Sequence, residues 1–229
     1  MKAVLALIFA VAMTAPISAQ IPTSTSEIRP NFNDDAYAKG ALELKRLSRC
    51  AVERRSGLAE TMLESLPSSR SESLIVDTMM NVMVNCIRNF RPAIRVSHVQ
   101  LRGAIAEEIF LAAHPQAVDF SAMNHSDKSL PSEWISSELE TPQLSRIVWQ
   151  DFAQCVVSDA PAEADAILRT TPRSAEEASA IREITQFLGP CLGDGSTFKM
   201  DAATLRSYLA QAMYRGMAMW PPVGLSGEN

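Results

Sequence analysis

The four cysteines of the chain lie in two pairs that have the same internal spacing. Cys50 and Cys86 are 36 positions apart, and Cys155 and Cys191 are also 36 positions apart. Equal cysteine spacing at two places in one chain indicates an internal repeat. A repeat of this kind restricts the fold to two copies of one structural unit that pack together.

Aligning the chain with itself at an offset of 105 residues extends the match well beyond the cysteines. A proline and a Ser-x-x-Glu motif also coincide, and after a one-residue gap a Leu-Arg-x-x-[IL]-Ala motif follows in both segments. The matching pairs are Cys50 and Cys155, Pro67 and Pro172, Ser69 and Ser174, Glu72 and Glu177, Cys86 and Cys191, Leu101 and Leu205, and Arg102 and Arg206. We therefore predict a first unit at 42–113 and a second unit at 143–217, joined by a connecting segment at 114–142.

Each unit is predicted to contain about four helices, which makes the protein all-α. Only 9 glycines and 6% aromatic residues argue against a β-sandwich or β-barrel. Pro67 and Pro172 end the second helix of each unit, because proline disfavours helical geometry in the residue before it. The Ser-x-x-Glu motifs that follow are typical of a capping box, in which the Glu side chain accepts from the N–H of the Ser. We expect the third helix to continue as far as Cys86 in the first unit and to break at Gly189-Pro190 in the second.

The predicted helices are 42–52, 57–66 and 99–113 in the first unit, and 143–157, 161–170 and 202–217 in the second, with the third helix of each unit starting after its Ser-x-x-Glu serine. In the helix that begins near residue 143, apolar residues recur at steps of three and four. They are Leu144, Val148, Phe152, Cys155 and Val156. This spacing predicts one apolar face.

The N-terminus has the pattern of a secretory signal peptide. Lys2 precedes an apolar run from Ala3 to Met13, and small residues lead to a predicted cleavage site after Ala19. The run is too short to span a bilayer, which needs about 20 apolar residues. We predict a signal peptide at 1–19, an N-terminal extension at 20–41 and a flexible tail at 218–229, with no transmembrane segment after cleavage. The expected location is periplasmic or secreted.

Export and the repeat together predict how the cysteines pair. An exported protein with an even number of cysteines usually forms disulfides, and four cysteines allow three connectivities. The repeat favours the pairs Cys50–Cys86 and Cys155–Cys191, because each unit then closes on itself. A redox pair or a metal site is the alternative, but there is no Cys-x-x-Cys motif and no histidine at ligand spacing from a cysteine.

The search for catalytic and ligand-binding motifs finds no constellation that predicts an activity. His114, Asp119, His125 and Asp127 form a loose group in the connecting segment, with irregular spacing that favours a solvated loop over a metal site. We expect no metal, no cofactor and no catalytic residue. Arg102 and Arg206 are the most notable polar pair. They either have a structural role, in which each pairs with an acid of its own unit or covers a helix end, or form a paired site for an anionic ligand.

The unit, with its cysteine, proline, Ser-x-x-Glu, cysteine and Leu-Arg motif, loosely resembles exported bacterial proteins of unknown function. The resemblance supports a periplasmic or secreted location, and it brings neither an activity nor functional residues with it. The net charge of −5 gives no overall attraction to nucleic acid. We therefore expect a non-enzymatic interaction module with a protein partner. The alternative is a small-ligand-binding protein or an enzyme that uses a groove between the two units.

Overall fold

The computed structural model describes residues 27–29, 35–87, 96–120, 130, 132–135, 138–192 and 199–217. These residues form eight α-helices, a short 3-10 turn at Ser132–Trp134 and two three-residue strands. The helices are α1 (Asp35–Arg54), α2 (Ser56–Glu64), α3 (Arg70–Val84), α4 (His98–Ala113), α5 (Thr141–Asp159), α6 (Pro161–Arg169), α7 (Ala175–Leu188) and α8 (Ala202–Gly216). The all-α prediction is confirmed. The predicted signal peptide and the predicted tail lie outside the described residues, as does His125.

Helices α4 and α8 form the centre of the molecule and pack against each other along much of their length. Helix α1 packs on α4, and α5 packs on α8. Both central helices are buried on nearly all sides, so they carry few of the exposed polar residues that mark a surface helix. Their closest approach is at Gly103, where an added Cβ would lie 2.4 Å from the Cα of Ser207. Only glycine permits the two backbones to come this close.

Most helix ends lie within two residues of the predicted ones, and the largest difference is at the start of α1. Helix α1 begins at Asp35, inside the segment that was predicted as an N-terminal extension. Helix α3 ends at Val84, so the prediction that it continues to Cys86 is wrong, and Cys86 lies in the turn that follows. Helix α7 ends at Leu188, just before Gly189. The third helix therefore stops ahead of the cysteine in both segments.

The two Ser-x-x-Glu motifs begin α3 and α7, but their glutamates do not reach the predicted atom. Ser69 and Ser174 accept hydrogen bonds from the backbone N–H of Glu72 and Glu177, as expected of N-caps. Glu72 accepts instead from the N–H of Ser68, at 2.6 Å, one residue before the cap. Ser68 has a φ of 61°, a left-handed conformation that turns its N–H toward the helix. This leaves the second oxygen of the carboxylate free for another partner.

Both predicted disulfides are present. Cys50 bonds to Cys86 and Cys155 bonds to Cys191, each linking the first helix of a segment to the turn after its third helix. In the chain-entropy model, closing a loop of this length stabilises the fold by about 4 kcal/mol. The cross-links therefore hold each group of helices together independently of the core.

The predicted apolar face of α5 is only partly buried. Phe152 and Val156 lie in the core, but Leu144 is 51% exposed and Val148 is 56% exposed. Ile147 and Gln150 face the interior instead. Leu144 and Val148 therefore lie outside the core, because α8 covers the neighbouring face of α5.

A pair of short strands was not predicted from the sequence. Strand β1 (Glu27–Arg29) lies parallel to strand β2 (Lys199–Asp201), with Ile28 opposite Met200. Strand β2 leads directly into α8. The pairing therefore attaches the segment before α1 to the N-terminal end of the second central helix.

Candidate functional site

Arg102 lies buried beneath the C-terminal end of α2. Its guanidinium donates to the backbone carbonyls of Met62 and Leu63, and to the carboxylate of Glu72 at 2.9 Å. The last carbonyls of a helix have no partner within the helix. Arg102 thus covers a helix end and pairs with an acid of its own unit at the same time.

Arg206 occupies the matching position in the second segment. It donates to the carbonyls of Ile167 and Leu168 at the end of α6, each at 2.9 Å, and to the carboxylate of Glu177 at 2.7 Å. Both arginines therefore make the contacts of a structural role, in which the guanidinium pairs with a carboxylate and covers a helix end. Neither guanidinium faces solvent.

Each arginine also bonds to a residue of the opposite central helix. The Nε of Arg102, on α4, donates to Gln211 on α8 at 3.1 Å. Arg206, on α8, donates from two nitrogens to Glu107 on α4, at 2.7 and 2.8 Å. Glu107 and Gln211 are matching positions in the aligned segments, so the two helices exchange the same contact in both directions. Such reciprocal contacts are typical of a two-fold axis, which here would pass near the point where α4 and α8 cross, at Gly103 and Ser207.

The partner of Glu107 on α1 and the partner of Gln211 on α5 are different residue types. Glu107 forms an ion pair with Lys45 of α1. Gln211 accepts instead from the amide of Gln150, which is the position of α5 that aligns with Lys45. A charged Lys–Glu pair in one half is thus replaced by a neutral Gln–Gln pair in the other. The number of charges changes, and the Oε1 of Gln150 is left buried without a hydrogen-bond partner.

The charge balance explains how the pKa values of these groups are shifted. Burial works against the charge of Arg206, but the two carboxylates of Glu107 and Glu177 outweigh it and raise the pKa of its guanidinium. Arg102 has one carboxylate partner, and burial lowers the pKa of its guanidinium. Burial disfavours the charge of Glu107 as well, yet Arg206 and Lys45 hold the pKa of that carboxyl below its ordinary 4.5.

Trp134, from the connecting segment, is buried between the end of α2 and the central helices α4 and α8. It is 1% exposed, and its indole N–H donates to the carbonyl of Glu64 at 3.4 Å. Arg102 and Arg215 both lie against its ring, at 5.9 and 5.7 Å from the ring centre. The connecting segment thus packs against α2 and the two central helices at this point.

Arg215 has no acidic partner within the described residues. Its Nε donates to Gln154 at 3.4 Å, while one terminal nitrogen is buried without a hydrogen-bond partner. Burial and the nearby charge of Arg102 lower the pKa of its guanidinium to about 9, so it stays charged at neutral pH. A buried charge without an acidic partner costs free energy, which makes Arg215 a weak point of the core.

The surface of the second segment carries a small cleft of about 230 Å³ between α5, β2 and α8. Its lining includes Arg146, Trp149 and Tyr208, together with Lys199 of β2. Arg146 donates to the hydroxyl of Tyr208 at 3.2 Å. The exposed Leu144 and Val148 do not line this cleft and lie on another side of α5, because residues one or two positions apart in a helix do not face each other.

Two members of the loose histidine and aspartate group, His125 and Asp127, lie outside the described residues. His114 is buried at the end of α4 against Phe110, and burial lowers the pKa of its imidazole. In the part of the chain that the structure describes, one set of three potential ligands lies close together, namely Cys155, Asp159 and Cys191. The two sulfurs of this set are joined in the disulfide, so they offer no thiolate to a metal.

The cleft was missed from the sequence because its residues come from distant positions and from a strand that was not expected. The helical spacing of Leu144 and Val148 predicts an apolar face, but it does not indicate that this part of the face stays exposed. No described helix has the length and apolar character needed to cross a bilayer. Comparison with models of known protein families, with curated proteins and with solved structures finds no match to this chain.

Proposed function

We propose that this protein is an exported, non-enzymatic interaction module that docks a protein partner on the outer face of α5. We define this docking face by Leu144 and Val148. The two large apolar side chains are more than half exposed and lie one helical turn apart, so they form one surface.

The observation that carries the proposal is the difference between α5 and α1. In the aligned first segment, the positions of Leu144 and Val148 are held by Lys39 and Glu43. The same helix position in the same scaffold is therefore compatible with charged residues, and the fold does not require apolar ones. Large apolar side chains that the fold leaves exposed in contiguous groups mark interaction sites.

The buried charges support a non-enzymatic role. Arg102 and Arg206 are engaged by helix ends and carboxylates, and Glu72 and Glu177 are their partners. These groups hold the fold together rather than face a substrate. Export is supported by the two disulfides, which form and persist in oxidising compartments such as the periplasm or the extracellular space.

A site-specific photocrosslinker tests the docking face. The crosslinking residue replaces Val148 in one variant and Glu43, its aligned position on α1, in the matched control. We expect a discrete adduct of higher mass from position 148 in the producing cell, and none from position 43. The double variant L144K/V148E, which installs the residues of α1, should fold normally and lose the adduct. Identical adduct patterns from both positions would contradict the proposal.

A further inference from the structure

The carboxylate of Asp159 lies against both sulfurs of the second disulfide. Its Oδ2 is 4.0 Å from the Sγ of Cys155 and 3.9 Å from the Sγ of Cys191. Asp159 follows Cys155 by four positions on α5, which places the two side chains on one face of the helix. Sulfurs in a disulfide carry no hydrogen, so the oxidised chain gains no hydrogen bond from bringing this carboxylate to the sulfurs.

The first disulfide has a side chain of opposite charge at the matching place. Arg54 aligns with Asp159 and follows Cys50 by four positions on α1. Its Nη1 donates at 3.1 Å to the carbonyl of Asn85, the residue before Cys86. Arg54 and Asp159 are both exposed. The scaffold thus accepts either charge beside the disulfide, and the carboxylate is not a requirement of the fold.

The group formed by Cys155, Asp159 and Cys191 has the geometry of a zinc site whose two sulfurs are still bonded to each other. Zinc bonds of about 2.3 Å to sulfur and about 2.1 Å to oxygen, at tetrahedral angles, place a sulfur and an oxygen ligand roughly 3.6 Å apart. The oxygen of Asp159 already lies near this distance from both sulfurs. Reduction lets the sulfurs move apart, and Cys191 lies in a turn rather than in a helix. The two cysteines are half-buried and Asp159 is exposed, so an ion can reach them from solvent.

We infer that Cys155, Asp159 and Cys191 form a zinc site when their disulfide is reduced. A dithiol supplies two electrons and two protons, which break the sulfur–sulfur bond and leave two thiols, while the dithiol itself becomes a disulfide. Zinc then displaces one proton from each thiol to solvent. The ion takes two thiolates and one carboxylate, which leaves a fourth position for water. The second segment thus keeps a cross-link between α5 and the turn after α7 in either redox state, while the charge of Arg54 repels a cation from the first pair.

The test uses Co²⁺ as the probe, because bonds from thiolates to Co²⁺ give a charge-transfer absorption band. The full chain is reduced with dithiothreitol, desalted without oxygen, and titrated with Co²⁺ and then with Zn²⁺. The variant C50S/C86S keeps only the second pair of cysteines, and C155S/C191S keeps only the first. We expect C50S/C86S to bind one Co²⁺ at least about tenfold more tightly than C155S/C191S, and Zn²⁺ to displace it. The oxidised chain should give no charge-transfer band.

Exchanging the side chain beside each pair of cysteines tests the role of the carboxylate. D159N, added to C50S/C86S, should weaken Co²⁺ binding at least about tenfold, because a negatively charged ligand is lost. R54D, added to C155S/C191S, should strengthen binding by a similar factor, because it gives the first pair the carboxylate of the second. Glu183 is an exposed acid on α7, so E183Q in C50S/C86S removes the same charge elsewhere and should leave the affinity unchanged.

Far-UV circular dichroism shows whether each reduced chain keeps its helices. If C50S/C86S unfolds, the wild-type chain and its D159N variant give the same comparison, since both contain the second pair. Equal Co²⁺ affinity in C50S/C86S and C155S/C191S, or equal affinity with and without D159N, would overturn the inference. A loss of helices on reduction that the metal does not restore would also overturn it. The site uses neither Leu144 nor Val148, so the result is independent of the proposed docking face.

Discussion

Replacing Glu107 with glutamine should expose how much of the stability depends on the network between α4 and α8. The carboxylate of Glu107 is 5% exposed and is bound by two nitrogens of Arg206, at 2.7 and 2.8 Å, and by Lys45. Removing one partner of a buried ion pair costs about 3–5 kcal/mol. Lys45 keeps part of its side chain in water, so we expect E107Q to lower the free energy of unfolding by about 3 kcal/mol.

The second half of the molecule contains the compensated form of this network, and it can be copied into the first half. K45Q alone leaves Glu107 bound to Arg206 and should cost about 1–2 kcal/mol. The double variant K45Q/E107Q reproduces the Gln150–Gln211 pair, with the guanidinium of Arg206 left on one carboxylate, as in Arg102. We expect it to lose about 2 kcal/mol, which is clearly less than the sum of the single losses.

Urea unfolding followed by far-UV circular dichroism, with both disulfides intact, measures the four free energies of this cycle. The exposed pair of Glu43 with Arg46 on α1 provides a control, and E43Q should leave the unfolding midpoint unchanged. A coupling energy below about 0.5 kcal/mol would mean that the two positions act independently. In that case the Lys–Glu and Gln–Gln pairs would not be interchangeable forms of one coupled network.

Three further predictions follow from the same core. The pKa of Glu107 in the folded protein lies below its ordinary value of 4.5. The contribution of its carboxylate to the unfolding free energy is therefore complete above pH 4.5 and is lost as the pH falls through the folded pKa. The stability difference between wild type and E107Q should therefore narrow in unfolding curves recorded from neutral pH down to about pH 3. G103A should cost about 3 kcal/mol in urea unfolding because the new Cβ would meet the backbone of α8, whereas G40A, in open space, should stabilise the fold by up to about 1 kcal/mol. R206M should lose about 3–5 kcal/mol, while R215M, which removes a cation without an acidic partner, should change the unfolding free energy by less than about 1 kcal/mol, and equal losses in the two would refute this view of Arg215.

The sequence predicted those parts of the fold that depend on local chemistry. Proline after α2 and α6, serine N-caps and apolar spacing are local signals, and they placed most of the helices. The disulfide pairing followed from the spacing of Cys50 and Cys86 and of Cys155 and Cys191. Of the two roles considered for Arg102 and Arg206, the structural one fits the contacts that both residues make.

What the sequence did not predict depends on contacts between distant segments. Helical spacing alone cannot tell which part of an apolar face a neighbouring helix will cover, so it does not indicate that Leu144 and Val148 stay exposed while Phe152 and Val156 are buried. Strand β1 forms only because β2 lies beside it, and three residues carry too little pattern to predict a strand. The reach of Glu72 to Ser68 requires the left-handed φ of Ser68, which its residue type does not indicate.

The reciprocal contacts also limit where a partner can bind. Arg102 depends on Gln211 and Arg206 depends on Glu107, so each half completes the buried network of the other. The halves therefore cannot separate to open a groove without stranding buried polar groups, and Trp134 fills the seam beside them. The outer faces carry no such constraint, because a change there leaves the network intact. The proposed docking face on α5 is such an outer face, and charged residues hold the aligned positions on α1.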